Sequence, residues 1–262
     1  MRIAVAATAP FGAAVLEGLA ARHEVELVLT RPDRRKGRGQ KEGPPPAKET
    51  AERLGLRIEQ PERLERFPGE AEAVVVAAYG VLIPEPLLEE RLWLNVHPSL
   101  LPRWRGAAPV ERAIMAGDDE TGVTLHRTTA ELDAGPIAAQ AAFAIEPDDD
   151  AGGVFDRAAD LAVDLLEGVL PDPAFTPQPE EGVTYAEKIT PKDRELDWSR
   201  PARELHDRIR ALSPHIGARG ELQGRRMLVW RSRLADGELE VLEVQPEGGR
   251  RMSYEEFLRG LR

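Results

Sequence analysis

Residues 71–80 read AEAVVVAAYG, a continuous apolar run that ends in glycine. A strand with one wet face alternates apolar and polar residues. An unbroken run suits a strand covered on both faces, as in a parallel sheet. The surroundings fit that reading. RIAVAA (2–7), EVELVL (24–29) and LWLNV (92–96) have strand character. Helical stretches fall between them: FGAAVLEGLAARH (11–23), the part of PPPAKETAERLG (44–55) after its prolines, and PEPLLEERL (84–92). Further on, APVERAIMAGD (108–118) reads as a helix ending at Gly117, and TGVTLHRT (121–128) and GPIAAQAAFAI (135–145) as strands around a turn. AGGVFDRAADLAVDLLEGVL (151–170) reads as an amphipathic helix. Strands alternating with helices imply an α/β fold with a mostly parallel sheet, and a ligand site at the carboxyl ends of its strands.

Composition shifts at PDPAFTPQPEEG (171–182), with four prolines in twelve residues, which predicts an extended linker. Beyond it, RPARELHDRIRALS (200–213) has helical periodicity, while RMLVWRSRL (226–234) and GELEVLEVQP (237–246) alternate like strands of a small antiparallel unit. Ser253 and Glu256 have capping-box spacing at the start of a last helix. The chain has 262 residues and no cysteine, so disulfides, thiolate metal sites and a cysteine nucleophile are excluded. Its N-terminal apolar run is too short for a membrane helix, and a cytoplasmic protein is expected. The formal net charge is −11. The acidic excess lies in residues 1–190, with 20 basic and 33 acidic groups, whereas 191–262 carry 15 and 13. That balance argues against a body wrapped in nucleic acid. Within the acidic part, RPDRRKGRGQK (31–41) gathers six basic groups and one acid, a local basic loop.

The strand at 92–96 leaves through NVHPSLLPRWRG (95–106). Side chains alternate along a strand, so Asn95 and His97 share a side. They stand where α/β sites are built, and an asparagine amide there can donate to a developing oxyanion. Downstream, ELDAGP places Asp133 in a Gly-bounded turn between two strands, from which a carboxylate can orient the imidazole and raise its pKa. The competing readings are a histidine that satisfies loop backbone and an ordinary turn aspartate. The five histidines show no metal-ligand spacing. No G-x-S-x-G elbow surrounds Ser99, and there is no Walker A motif. Tyr79, Gly80 and the VLIP that follows suit either a pocket wall or core. On the residues alone the reading is a His/Asn/Asp site for acid–base chemistry at an acyl-like carbonyl, with no substrate named.

NVHPSLLPRWRGAAPVERAIMAGDDETGVTLHRTTAELDAGPI (95–137), TRPDRRKGRGQK (30–41) and TYAEKITPKDRELDW (184–198) resemble the methionyl-tRNA formyltransferase family. HPSLLP alone also suits other folate-dependent formyltransferases and deformylases; WRGAAP, the basic loop and YAEK…DW point to the tRNA enzymes. The resemblance implies a Rossmann-like formyltransferase domain (1–170), a Pro-rich linker (171–190) and a small OB-like β-barrel (191–262). It implies formyl transfer from 10-formyltetrahydrofolate to the α-amine of methionyl initiator tRNA, with no metal and no membrane, by a monomer. The family's catalytic residues fall on Asn95, His97 and Asp133. Its folate-binding residues fall on Tyr79, Gly80, Val81, Leu82 and Ile83 and on Ser99, Leu100, Leu101 and Pro102. Its tRNA-binding residues fall on Arg34, Lys36, Arg38 and Lys41. Asn95 and a protonated His97 are then expected to stabilise charge on the formyl oxygen. The alternatives are transfer to a small amine such as an amino sugar, hydrolysis of the formylfolate, or a non-catalytic folate- or RNA-binding relative. Two departures stand out: ATAPFG (7–12) replaces the family's GTPxF-like turn, and only 72 residues remain from Pro191, fewer than the family's barrel uses.

Overall fold

The computed structural model describes residues 1–36 and 41–261; of residues 35, 36, 41 and 42 it describes the backbone. The first elements are β1 (Arg2–Ala7), α1 (Pro10–Ala20), β2 (Glu24–Leu29), β3 (Arg34–Lys36), β4 (Lys41–Gly43), α2 (Pro46–Arg53) and β5 (Ile58–Glu59). Next come β6 (Ala73–Ala77), α3 (Glu85–Glu90), β7 (Leu92–His97), β8 (Arg105–Gly106), α4 (Pro109–Ala116), β9 (Glu120–Arg127), β10 (Ile137–Ala144) and α5 (Ala151–Val169). The chain ends with β11 (Tyr185–Ala186), α6 (Ala202–Ala211), β12 (Ala218–Leu222), β13 (Arg225–Ala235), β14 (Glu238–Pro246), β15 (Met252–Ser253) and α7 (Tyr254–Arg259). Among the described residues no helix is long and apolar enough to cross a membrane.

The large sheet has the order β10-β9-β7-β6-β1-β2-β5. The pairs β1–β2, β1–β6, β6–β7 and β2–β5 are parallel, and β9 runs antiparallel to β7. The apolar run at 71–80 becomes β6, buried at all five positions, as its lack of alternation predicts. Burying each of Val74, Val75 and Val76 stabilises by roughly 1.5–3 kcal/mol relative to exposure. From β1 the chain builds outward through β2 to β5, then returns to β6 and β7 on the other side. The strand order therefore reverses between β1 and β6, where a doubly wound sheet opens a crevice at its carboxyl ends.

Local chemistry shapes that crevice. Pro10 sits in the first turn of α1, where its missing N–H costs nothing. Gly12 lies so close to β6 that a Cβ would stand 2.2 Å from the Ala77 carbonyl oxygen, so only glycine lets α1 pack there. Thr8 Oγ1 donates to the Tyr79 carbonyl at 2.7 Å, tying the end of β1 to the loop after β6. The departure at ATAPFG thus retains a closed β1–α1 turn.

By compactness the chain forms two units. One comprises Met1–Arg105, Gly122–Ala142 and Asp156–Thr184; the other comprises Gly106–Thr121, Phe143–Phe155 and Tyr185–Arg262. In the second, β12-β13-β14-β15 form an antiparallel sheet, with no pairing of β12 to β15 among the described residues. Its core joins Leu205, Ile209 and Leu212 of α6 to Met227, Val229 and Val244 of the sheet and Phe257 of α7. The C-terminal part is thus a small antiparallel sheet packed against α6 and α7. Ser253 caps α7 by accepting from the Glu256 N–H at 3.0 Å, while the Glu256 carboxylate turns to Arg250 at 2.6 Å. Half of the capping box forms.

Candidate active site

Strand β7 carries Asn95 and His97 on one side, and β9 lies antiparallel beside it with Asn95 opposite His126 and His97 opposite Thr124. His97 is 4% exposed. Its Nε2 lies 2.8 Å from the Trp104 carbonyl oxygen. A carbonyl only accepts, so Nε2 carries the proton and the neutral ring has its lone pair on Nδ1. That Nδ1 faces Asp133 Oδ2 at 3.7 Å, beyond hydrogen-bond distance. Asp133 pushes the pKa of His97 upward, as its position in the sequence predicts. The structure places the net shift below the ordinary value of 6.5, chiefly because burial penalises the imidazolium, and His126 nearby adds to the lowering. The Asp133 charge and the Trp104 carbonyl push upward without overcoming it. Burial thus favours the neutral form of the ring, and its Nδ1 looks at a carboxylate.

Asn95 Nδ2 donates to Asp133 Oδ1 at 3.2 Å and lies 2.9 Å from His126 Nε2. His126 Nδ1 is 3.0 Å from the Arg127 carbonyl oxygen and donates to it, which leaves Nε2 to accept from Asn95. Both amide hydrogens of Asn95 are therefore committed. Sequence reasoning missed His126. The one signal for it was a histidine in a strand otherwise rich in apolar and β-branched residues.

Asp133 sits at φ 49°, a left-handed conformation that aspartate tolerates better than most residues. Two residues on, a Cβ at Gly135 would stand 1.8 Å from the Arg127 carbonyl oxygen, so the turn demands glycine there. Gln178 Nε2 donates to the carbonyls of Asp133 and Gly135 at 2.7 and 2.8 Å. Gln178 comes from the Pro-rich segment, for which the composition predicts an extended linker. It is extended, and Thr176 exchanges two backbone hydrogen bonds with Ile137 at 2.8 Å each.

The loop after β7 is held from inside. Ser99 is fully buried, and its hydroxyl donates to the Arg103 carbonyl at 2.7 Å. Thr124 Oγ1 donates to the Ser99 carbonyl at 2.7 Å and accepts from the Leu101 N–H at 3.0 Å. Leu101 is buried, while Leu100 and Pro102 are partly exposed. In the loop after β6, Tyr79 and Ile83 are buried among Leu29, Leu87 and Trp93, whereas Val81 is half-buried. Burial pushes the Tyr79 phenol up to about 12, so it stays neutral. Gly80 takes φ 70°, and Leu82 is 84% exposed. Of the basic loop, Arg34 is exposed on β3, which pairs with β4 as a short hairpin. Arg38 and the side chains of Lys36 and Lys41 lie outside the described residues. Among the described residues no cluster of His, Asp and Glu is arranged to hold a metal ion.

Comparison with known proteins identifies the family. Residues 1–170 match the Formyl transferase family, and residues 188–238 match the family described as Formyl transferase, C-terminal domain. The chain is 43% identical over 292 aligned positions to the methionyl-tRNA formyltransferase of Paracoccus denitrificans, covering 100% of this chain and 98% of that protein. Among solved structures, the methionyl-tRNA formyltransferase from Clostridium thermocellum superposes with a TM-score of 0.67 at 16% identity, covering 94% of this chain and 98% of the other. An N-formyltransferase from Helicobacter canadensis, solved with folinic acid and dTDP-3-aminofucose, superposes with a TM-score of 0.69 at 18% identity, covering 89% and 88%. At those identities the two structures speak for the fold, and the sequence relationship speaks for the family. The chain belongs to the methionyl-tRNA formyltransferase family and is a formyl-transferring enzyme.

Proposed function

We propose that the enzyme transfers the formyl group of 10-formyltetrahydrofolate to the α-amine of methionyl initiator tRNA in the cytoplasm, with Asn95, His97 and Asp133 as its catalytic residues. Residues 1–170 form the folate-binding and catalytic domain, 171–190 the linker and 191–262 the C-terminal domain. The observation that carries the reading is the buried His97, whose Nε2 meets the Trp104 carbonyl while Nδ1 faces Asp133 Oδ2 at 3.7 Å, at the carboxyl end of β7 beside Asn95. The folate supplies an activated formyl group.

Attack of the amine on the formyl carbon makes the new C–N bond and places negative charge on the formyl oxygen. One proton must leave the amine, and one must reach the departing nitrogen. His97 takes the first at Nδ1. The imidazolium then lies between the Trp104 carbonyl and the Asp133 carboxylate, which oppose the burial penalty when the charge appears. The same proton passes to the leaving nitrogen, and His97 returns neutral. Asn95 stabilises the oxyanion when the formyl oxygen replaces Asp133 Oδ1, the more distant of its two partners, as acceptor of one amide hydrogen.

The folate lies along the two loops at the crevice. In residues 79–83 the buried Tyr79 and Ile83 anchor a turn that exposes Leu82 and the Gly80 backbone to a flat ring, and Ser99, Leu100, Leu101 and Pro102 line the second loop. A segment with buried anchors and one exposed apolar side chain fits such a ligand. Arg34, Lys36, Arg38 and Lys41 contact phosphates of the acceptor end and position it without reading sequence.

The test is formyl transfer from 10-formyltetrahydrofolate with methionyl initiator tRNA, free methionine, a nucleotide-linked amino sugar or no acceptor, at two salt concentrations. Transfer that requires the tRNA and weakens with salt is expected. Formylfolate consumed equally without acceptor, or transfer to the amino sugar alone, would refute the reading.

A further inference from the structure

We infer that Gln178 and Thr184, which lie between the two stretches matched by the family domains, are positioning residues that set the separation of His97 and Asp133. The inference rests on the catalytic reading of that pair. His97 and Asp133 come from different elements, β7 and the turn after β9, and no direct hydrogen bond joins them. A ring of other hydrogen bonds does. His97 Nε2 meets the Trp104 carbonyl at 2.8 Å. The Trp104 N–H donates to Thr184 Oγ1 at 2.9 Å, and the Arg105 N–H donates to the Thr184 carbonyl at 2.9 Å. The Arg105 guanidinium donates to Gln178 Oε1 from Nε at 3.1 Å and from Nη2 at 2.8 Å. Gln178 Nε2 then closes the ring on the Asp133 and Gly135 carbonyls.

The chemistry of each member is specific. Gln178 spends both amide hydrogens on the catalytic turn and its oxygen on Arg105, so a side chain of that length must donate at one atom and accept at the other. Glutamate cannot donate there, lysine cannot accept, and asparagine is one methylene short. Arg105 is 8% exposed, and a guanidinium so buried needs acceptors; Glu131 lies farther away, at 3.7 Å. Trp104 and Asp133 both take positive φ, 64° and 49°. For a side chain as bulky as tryptophan that backbone persists only where its surroundings hold it. Thr184 holds one of these strained residues and Gln178 the other. A linker that served only as a tether would need none of this beyond the Thr176–Ile137 pair.

The experiment compares Gln178→Glu and Gln178→Ala with the wild-type enzyme, using 10-formyltetrahydrofolate and methionyl initiator tRNA. Glutamate keeps the size and pairs with Arg105 but cannot donate to the turn, whereas alanine removes both contacts. Both variants are expected to lose about 10- to 100-fold in kcat, with each KM within about threefold of wild type. The imidazole 15N titration of His97 should move to lower pH, because a slackened Asp133 no longer opposes burial. Thr184→Val should act in the same sense and more weakly. Full activity in Gln178→Glu would overturn the inference, since the Arg105 contact alone would then suffice. So would an unmoved His97 titration with activity lost only in proportion to folded protein. His97→Ala run alongside separates the two readings: its activity tests the catalytic assignment, whereas the 15N titration tests the positioning whether or not that assignment holds.

Discussion

His97 and His206 are both buried, one in each compact unit, and each gives Nε2 to a backbone carbonyl: Trp104 at 2.8 Å and Pro147 at 3.1 Å. They differ at the other nitrogen. His206 Nδ1 accepts from the Ser232 hydroxyl at 2.9 Å, so every polar atom of that ring is satisfied and the residue ties α6 to its surroundings. His97 Nδ1 faces a carboxylate across 3.7 Å. Burial and a hydrogen bond to a carbonyl are common to both rings. The second nitrogen sets them apart, and on the proposed reading that difference is what makes His97 reactive.

The strongest way to break the contrast is to remove the proposed catalytic pair. His97→Ala or Asp133→Asn is expected to lower kcat by about 10²- to 10⁴-fold while folate binding, read by fluorescence quenching, stays near wild type. Turnover close to wild type in either variant would remove the distinction.

The second prediction concerns pH. Burial holds His97 below 6.5, so the acid limb of kcat/KM should lie below pH 6.5, with the rate falling about tenfold per unit beneath it. The same shift affects stability. In the window from 6.5 down to the native pKa the unfolded chain binds the proton and the native protein does not. Stability therefore rises with pH there and is lost as pH falls. A limb above 6.5 would contradict the burial argument.

His206→Ala is expected to cost about 1–3 kcal/mol of stability by orphaning buried partners, with kcat little changed at temperatures where the protein stays folded. Thermal melting and turnover on the same preparation check it. The smallest effect belongs to Arg34→Gln. Here KM for tRNA should rise severalfold, and the slope of log affinity against log salt should shrink by about 0.7–0.9 if one phosphate contact is lost. An unchanged slope would take Arg34 out of the tRNA interface.

Much of the fold was legible because its signals are local. The unbroken run at 71–80 required a strand covered on both faces, and β6 is that strand. Period-two alternation put Asn95 and His97 on one side of β7, and the glycine at 135 announced a tight turn at Asp133. The partners of those residues were not legible. His126 reaches Asn95 because the β7–β9 register sets them opposite each other, and register is a property of two strands. Gln178 sits 45 residues from Asp133 in a run whose composition reads only as an extended connector.

The sequence by itself determined the α/β class, the order of the elements, and the place of the candidate histidine and aspartate. Hydrophobic period and turn chemistry are written residue by residue. The tertiary structure alone decided that His97 gives Nε2 to the Trp104 carbonyl, that burial outweighs the Asp133 charge in the direction of its pKa shift, and that Gln178 donates to the Asp133 carbonyl. Each of these depends on what surrounds a side chain once distant segments meet. Desolvation and hydrogen-bond geometry have no values until then.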